Sequence, residues 1–102
     1  MNIATARLHV TMPDGSVWAI PVMSIGINRA TYYAHEFGGD VKRSLAEDTI
    51  PCFSSDHYEV EDWAANNMNW VDVASVATMV QGPAPIDFQE GWCNGEKEVV
   101  GR

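Results

Sequence analysis

This chain has little positive charge. Six lysines and arginines face fourteen aspartates and glutamates in 102 residues, a net charge of −8. A field of that sign repels a phosphate backbone, so direct nucleic-acid binding is not expected. Cysteine is scarce too: Cys52 and Cys93 stand alone, without the CxxC spacing of zinc or redox sites. They read as two free thiols of a cytosolic protein. No apolar run approaches bilayer length, and MNIATARLHV puts no basic segment ahead of an apolar one. Neither a membrane span nor a secretory leader is therefore expected. No glycine-rich loop has phosphate-cradling spacing, because Gly38-Gly39 before Asp40 reads as a helix stop. Repeats and low-complexity runs are absent. With 46% hydrophobic residues, a chain of this length buries a core without disulfide or metal support, and residues 1–102 read as one domain.

The charge is uneven. Residues 1–44 carry Arg7, Arg29, Lys42 and Arg43 against Asp14, Glu36 and Asp40, a net +1. Residues 45–102 carry Lys97 and Arg102 against eleven carboxylates, a net −9. Such a half would draw a basic partner and speed the encounter. The plainer reading of the same charge is solubility.

Ala6, Leu8, Val10 and Met12 alternate with polar residues, and Met12-Pro13-Asp14-Gly15 is turn chemistry. Ser16 to Ile20 resumes as a strand, so residues 4–20 predict a hairpin that Pro21 stops, with His9 solvated on its polar face. A helix is expected from Ser24 to Phe37, with Ile27, Ala30, Ala34 and Phe37 inward and Gly38-Gly39 as its end. Gly26 and Asn28 weaken its start, and Tyr32, Tyr33 and His35 cannot all point inward. Asp40 caps a shorter helix, VKRSLAEDT, with Val41 and Leu45 inward, and Pro51 is expected to end it. Lys42 and Arg43 are placed to pair with Glu47 or Asp48. Ile50 to Phe53 then reads as an apolar link.

The stretch SSDHYEVEDWAANNMNW, Ser54 to Trp70, holds the clearest helix start. Asp56 and Glu59 have capping-box spacing, and Val60, Trp63, Ala64 and Met68 form one apolar face. Residues 70–75 are ambiguous between strand and helix. The favoured reading is one turn at Asn69–Ala74 and a strand at Ser75–Gln81 that extends the hairpin. Gly82 to Pro85 breaks the chain. Phe88 and Trp92 should dock the tail on the body, with a short strand at Glu98–Val100 as an option. The expected fold is α+β: a three-stranded antiparallel sheet, the N-terminal hairpin plus a later strand, covered by two or three helices.

Reactive groupings are thin. Cys52, Asp56 and His57 contain thiol, carboxylate and imidazole, but the Pro51 and Phe53 neighbours favour a buried inert thiol. The adjacent pairs Glu61-Asp62 and Glu47-Asp48 diverge on a helix, which is poor geometry for acid–base work. A metal would need His35, His57, Cys52 or Cys93 gathered by the fold, and no local spacing supports that. No catalytic residue, metal or other cofactor is expected. Of the four tryptophans, Trp63 and Trp70 are placed in the core. Trp92, between Gly91 and Cys93, is the candidate for a partly exposed interface anchor.

At GGDVKRSLAEDT, EDWAANNMNW and FQEGWCNGEKEV the chain resembles a family of small acidic proteins encoded in phages and prophages, over most of residues 8–100. The resemblance implies a phage product acting in the bacterial cytoplasm, and it supplies no catalytic residues. In size and charge the chain is similar to phage inhibitors of host complexes, including anti-CRISPR proteins and nucleic-acid mimics. The expected function is a non-enzymatic protein-binding module that inhibits a host nucleic-acid-binding or defence complex. Glu59, Glu61, Asp62 and Asp72 are the candidate contacts, with Glu47 and Asp48 behind them and Trp92 as anchor. The expected partner is a basic host protein or complex, with no membrane contact, and the chain itself is a monomer or homodimer. Alternatives are a phage structural or assembly protein forming a homo-oligomer, and a small enzyme or metal protein.

Overall fold

The alternation in the first twenty residues becomes a hairpin. In the computed structural model, which describes residues 1–82 and 87–101, β1 (Arg7–Thr11) pairs antiparallel with β2 (Val17–Pro21). Leu8 lies opposite Ile20 and Val10 opposite Trp18. Gly15 takes a φ of +91°, which a side chain would resist, and its N–H donates to the Met12 carbonyl. Asp14 Oδ1 accepts from the Ser16 N–H and hydroxyl at 2.9 and 2.7 Å, closing the turn.

Two further strands flank the hairpin: β3 (Thr78–Gln81) beside β2, and β4 (Glu96–Val100) beside β1. The sheet has four antiparallel strands in the order β3-β2-β1-β4, rather than the three expected. The fourth is the optional tail strand, two residues longer than expected and paired along the whole of β1 from Arg7–Val100 to Thr11–Glu96. EKEVV can do this because its residues alternate, with Val99 entering the core beside Leu8 while Glu96 and Glu98 stay exposed. One face of the sheet is thus Leu8, Val10, Ile20 and Val99. The other presents Arg7, His9, Thr11, Glu96 and Glu98.

Helices cover the apolar face. Pro21 leads straight into α1 (Val22–Tyr33), so the inward stripe starts at Val22 and continues through Ile25, Gly26 and Ala30. Ala30 and Ala34 are buried as expected, but Ile27, expected inward, is 46% exposed, because the four-residue step back from Ala30 falls on Gly26. Gly26 is there for space: a Cβ would lie 3.2 Å from Ile3 Cδ1 and close to Leu45 and Thr49. A 3₁₀ turn (Ala34–Phe37) follows, and Gly38 and Gly39, with φ of +66° and +83°, end it as expected.

Pro51 does not end the next helix. Asp40 caps α2 (Val41–Ser44) by accepting the Arg43 N–H, and the chain then runs through a π-helical turn (Leu45–Thr49) into α3 (Ile50–Ser55). The Ile50 N–H donates to the Leu45 carbonyl, five residues back. Widening the coil just before Pro51 relieves the clash and missing donor that proline brings to a normal helix. Ile50 to Phe53 is therefore helix rather than link, and Phe53 is a core residue.

Asp56 accepts the Tyr58 N–H at 3.0 Å at the start of α4 (Tyr58–Asn67), although Glu59 makes no reciprocal capping bond among the described residues. Val60, Trp63, Ala64 and Met68 are all buried, as the spacing predicts. A single turn, α5 (Trp70–Val73), carries the full capping box instead, between Asn69 and Asp72. Asp87 accepts the Glu90 N–H to cap α6 (Phe88–Asn94). The helical segments thus outnumber the two or three expected. The break read at Gly82 to Pro85 lies mostly outside the described residues.

Aromatic rings tie the tail to the body. Trp18 meets Trp70 and Phe88 edge-on at 5.5 and 5.4 Å between centroids, and Trp70 stacks on Phe88 at 5.0 Å. Gln89 adds a polar clamp, accepting the Trp70 N–H at 2.8 Å and donating to the Asn69 side chain at 3.1 Å. Among the described residues, no helix is long and apolar enough to cross a membrane.

Candidate functional site

The register of β1 against β4 builds a concave feature on the outer face of the sheet. Glu98 is directly opposite His9, and Glu96 is opposite Thr11, all on the face away from the core. With Val17, Lys97, His57 just before α4, and Tyr58 and Glu61 at its start, they line an open cleft of about 710 Å³. His57 packs against Tyr58 with the rings tilted by 36° and centroids 4.2 Å apart. Glu61 leans from α4 onto β4, where its Oε1 accepts the Val99 N–H at 2.9 Å.

Lys97, between the two β4 glutamates, does not neutralise them. Strand alternation turns it inward beside Val10, where its ammonium donates to the carbonyls of Trp92 (2.6 Å) and Gly95 (3.2 Å). It also lies 4.6 Å from the centre of the Trp92 ring. Burial holds this ammonium below its ordinary pKa, with the Cys93 sulfur pulling the other way.

The structure separates the residues picked from sequence. Asp48 is ion-paired with Arg29 at 2.9 Å, beside Trp63 of α4, and Glu47 with Arg43 at 2.6 Å. Arg29 also donates to Thr49 and lies over the Tyr33 ring, so it is fixed in place. Asp72 is engaged with the Asn69 N–H in its capping box. Glu61 is engaged with Val99. Glu59 and Asp62 remain exposed on α4, with Asn66 donating to Asp62 at 2.9 Å.

Trp92 is a correction. It is 1% exposed, and its Nε1 donates to the Met68 carbonyl at 3.0 Å, so it cannot serve as a surface anchor. Flanking Gly91 and Cys93 suggested an open site, but Gly91 is small so that Met12 can pack against it. A Cβ there would lie 2.7 Å from Met12 Sδ. Trp63 is in the core as expected, and Trp70 packs partly buried against it.

Cys52 is half-buried, and burial pushes its thiol above the ordinary range, against the pull of Arg29. That is the reverse of what activates a nucleophile. Among the described residues, no group of three or more His, Cys, Asp or Glu side chains is placed to hold a metal ion. A second groove, about 560 Å³, runs between α1 and α4 past Tyr32, Trp63 and Asp72. There Trp63 Nε1 donates to Asn28 Oδ1 at 2.9 Å.

His9, Tyr58, Glu96 and Glu98 were not singled out from sequence as contacts. The signal available was the alternation in EKEVV. Using it required knowing that the tail pairs with β1, and in which register. No family model, no curated protein and no solved structure matches this chain.

Proposed function

We propose that the chain is a non-enzymatic protein-binding module whose α4 and β4 carboxylates engage a basic surface on another protein. The observation that carries this reading is the division of charge. Glu59, Asp62, Glu96 and Glu98 are exposed and have no cationic partner among the described residues. Arg29 and Arg43 hold Asp48 and Glu47, Lys97 is turned inward, and Arg7, on the same face of the sheet as Glu98, forms no ion pair with it among the described residues. Exposed carboxylates without an ion pair, Glu96 and Glu98 in the cleft and Glu59 and Asp62 on α4, attract cations and speed association, whereas those already paired add little. The resemblance to phage-encoded proteins supports a host protein of the bacterial cytoplasm as partner. Complexes that bind nucleic acid, defence complexes among them, present the basic surface this reading needs.

Charge reversal tests it. Asp62→Lys and Glu98→Lys alter carboxylates that support no backbone group, so both variants should keep the wild-type circular dichroism. Capture of a basic host protein from lysate should fall in each variant, and in wild type it should weaken as salt rises from low to physiological ionic strength. Capture unchanged by both reversals and by salt would overturn the reading.

A further inference from the structure

Two of the chain's three histidines line the same cleft. His9 is directly opposite Glu98 across the β1–β4 ladder, which puts their Cβ atoms about 5 Å apart. His57 lines the cleft from just before α4, with its ring against Tyr58. Three carboxylates, Glu61, Glu96 and Glu98, and the Lys97 ammonium complete the charge. The cleft therefore holds two net negative charges when both imidazoles are neutral and none when both are protonated. Around it, Arg7 shares the His9 face of β1, and the β2 positions opposite His9 and Thr11 are the uncharged Ala19 and Val17. Asp56 precedes His57, and α3, which packs on α4, brings only the Cys52 thiol, which burial keeps protonated. From α1, Arg29, Tyr32 and Tyr33 meet α4 at Trp63. The third histidine, His35, is in the 3₁₀ turn, with its Nδ1 3.1 Å from the Tyr32 carbonyl.

We propose that this cleft takes an arginine side chain of the partner while His9 and His57 are neutral, and releases it when they are protonated. The inference rests on the protein-binding reading above, and adds the group recognised and the condition that ends recognition. Glu96 and Glu98 are two apart on one strand, so both carboxylates rise from the same face, and the exposed Tyr58 ring lines the cleft with them. A guanidinium matches that set. Its planar fork pairs with carboxylates and lies on aromatic faces, whereas a lysine ammonium is a strongly hydrated point charge. Among side chains, histidine ordinarily changes charge between pH 5 and 8, while carboxylates titrate lower and ammonium and guanidinium groups higher. Acidification from pH 7.5 to 5.5 thus acts on the cleft through its imidazoles, and sets a cation beside the place where the arginine binds. The groove between α1 and α4 is a built-in contrast: it holds the carboxylate of Asp72 but no histidine, so binding there would not follow pH in this way.

Titration of the full chain with a capped hexa-arginine peptide, followed by amide NMR shifts at pH 7.5 and 5.5, tests the proposal. The expected result at pH 7.5 is saturable shifts at His9, Tyr58, Glu96 and Glu98. Affinity should be about tenfold weaker at pH 5.5, the effect of two added charges at close range in a water-exposed site. In His9→Gln/His57→Gln the ratio of the two affinities should fall close to one. Each single variant should keep part of the ratio, which covers a double variant that folds poorly. His35→Gln, outside the cleft, should keep all of it. No binding at pH 7.5, shifts confined to the α1–α4 groove, or equal affinity at the two pH values overturns the proposal. So does a ratio that survives the double variant or is lost in His35→Gln. The peptide needs no host protein, so the two readings fail separately. Binding that follows pH without capture from lysate counts against the protein-binding reading, and capture with peptide binding indifferent to pH counts against this inference.

Discussion

Glu61 Oε1 accepts the backbone N–H of Val99 at 2.9 Å, and through this bond α4 closes the outer edge of β4. A carboxylate that would count as one more surface charge is thus part of the fold. Val99 is buried beside Leu8, so the strand it belongs to is anchored on both sides.

Removing that acceptor should be felt in stability. Glu61→Ala leaves the Val99 N–H to water or to nothing, and the expected loss is about 1 kcal/mol, the charge-assisted value reduced for partial exposure. Glu61→Gln keeps an acceptor oxygen and should lose less. Urea unfolding of the two variants beside wild type gives the order, and equal losses would mean that charge rather than the bond matters.

Three glycines offer a graded test of close packing. A Cβ on Gly95 would meet the Gly91 carbonyl at 2.7 Å and the Thr11 carbonyl at 3.0 Å, both backbone atoms that cannot swing aside. Gly95→Ala should therefore cost about 2–3 kcal/mol, at the upper end for overpacking. Gly91→Ala meets the flexible Met12 side chain and should cost less. Gly26→Ala needs only a small shift of Ile3, and the gain of about 1 kcal/mol in helix propensity should bring it near neutral. Thermal melts of the three should fall in that order, and a Gly95→Ala variant as stable as wild type would refute the packing argument.

How far the fold was readable follows from the range of each signal. The hairpin, the α4 face and the turn before β3 rest on neighbours in sequence, such as Leu8 with Val10 or Val60 with Trp63 and Ala64, and they were legible. Ile27 is exposed because the buried stripe steps by four through Val22, Gly26, Ala30 and Ala34 and passes its neighbour Gly26 instead, a choice the spacing alone does not make. Pro51 was misread because the rule that proline ends a helix ignores the π turn that absorbs it. Trp92 and the cleft were illegible for one reason: both depend on where the tail lands. EKEVV shows alternation but not its partner, so the opposition of Glu98 to His9 exists only in three dimensions. The acidic character of the second half was plain, yet which carboxylates stay unpaired is decided by Arg29, Arg43 and the Val99 N–H.

The hairpin turn should show itself in acid. Bonds from the Ser16 N–H, then the Ser16 hydroxyl, hold the Asp14 carboxyl below its ordinary 3.8. A depressed folded-state pKa means that the unfolded chain binds the proton more readily, so the stabilisation is complete above 3.8. It is lost as pH falls through the lower folded value. The stability gap between wild type and Asp14→Ala should be constant from neutral pH to about 5 and close below 3.8. Denaturant titrations at a series of pH values measure it, and a gap that persists at pH 2 would show that the turn does not depend on the ionised carboxylate.

Trp92 separates core from interface most directly. Truncating a buried tryptophan costs about 3–5 kcal/mol, against roughly 5–15 kcal/mol for a whole domain. Trp92→Ala should accordingly lower the melting temperature sharply, at any protein concentration. Trp92→Phe keeps ring area beside Lys97 but leaves the Met68 carbonyl without its indole donor, and about 1–2 kcal/mol should be lost. An anchor at a protein–protein contact would behave in the opposite way, with melting of the isolated chain unaffected and association weakened. Melting curves at one dilute concentration distinguish the two, because the monomer alone carries the core. A Trp92→Ala variant that melts with wild type there would return this residue to the surface.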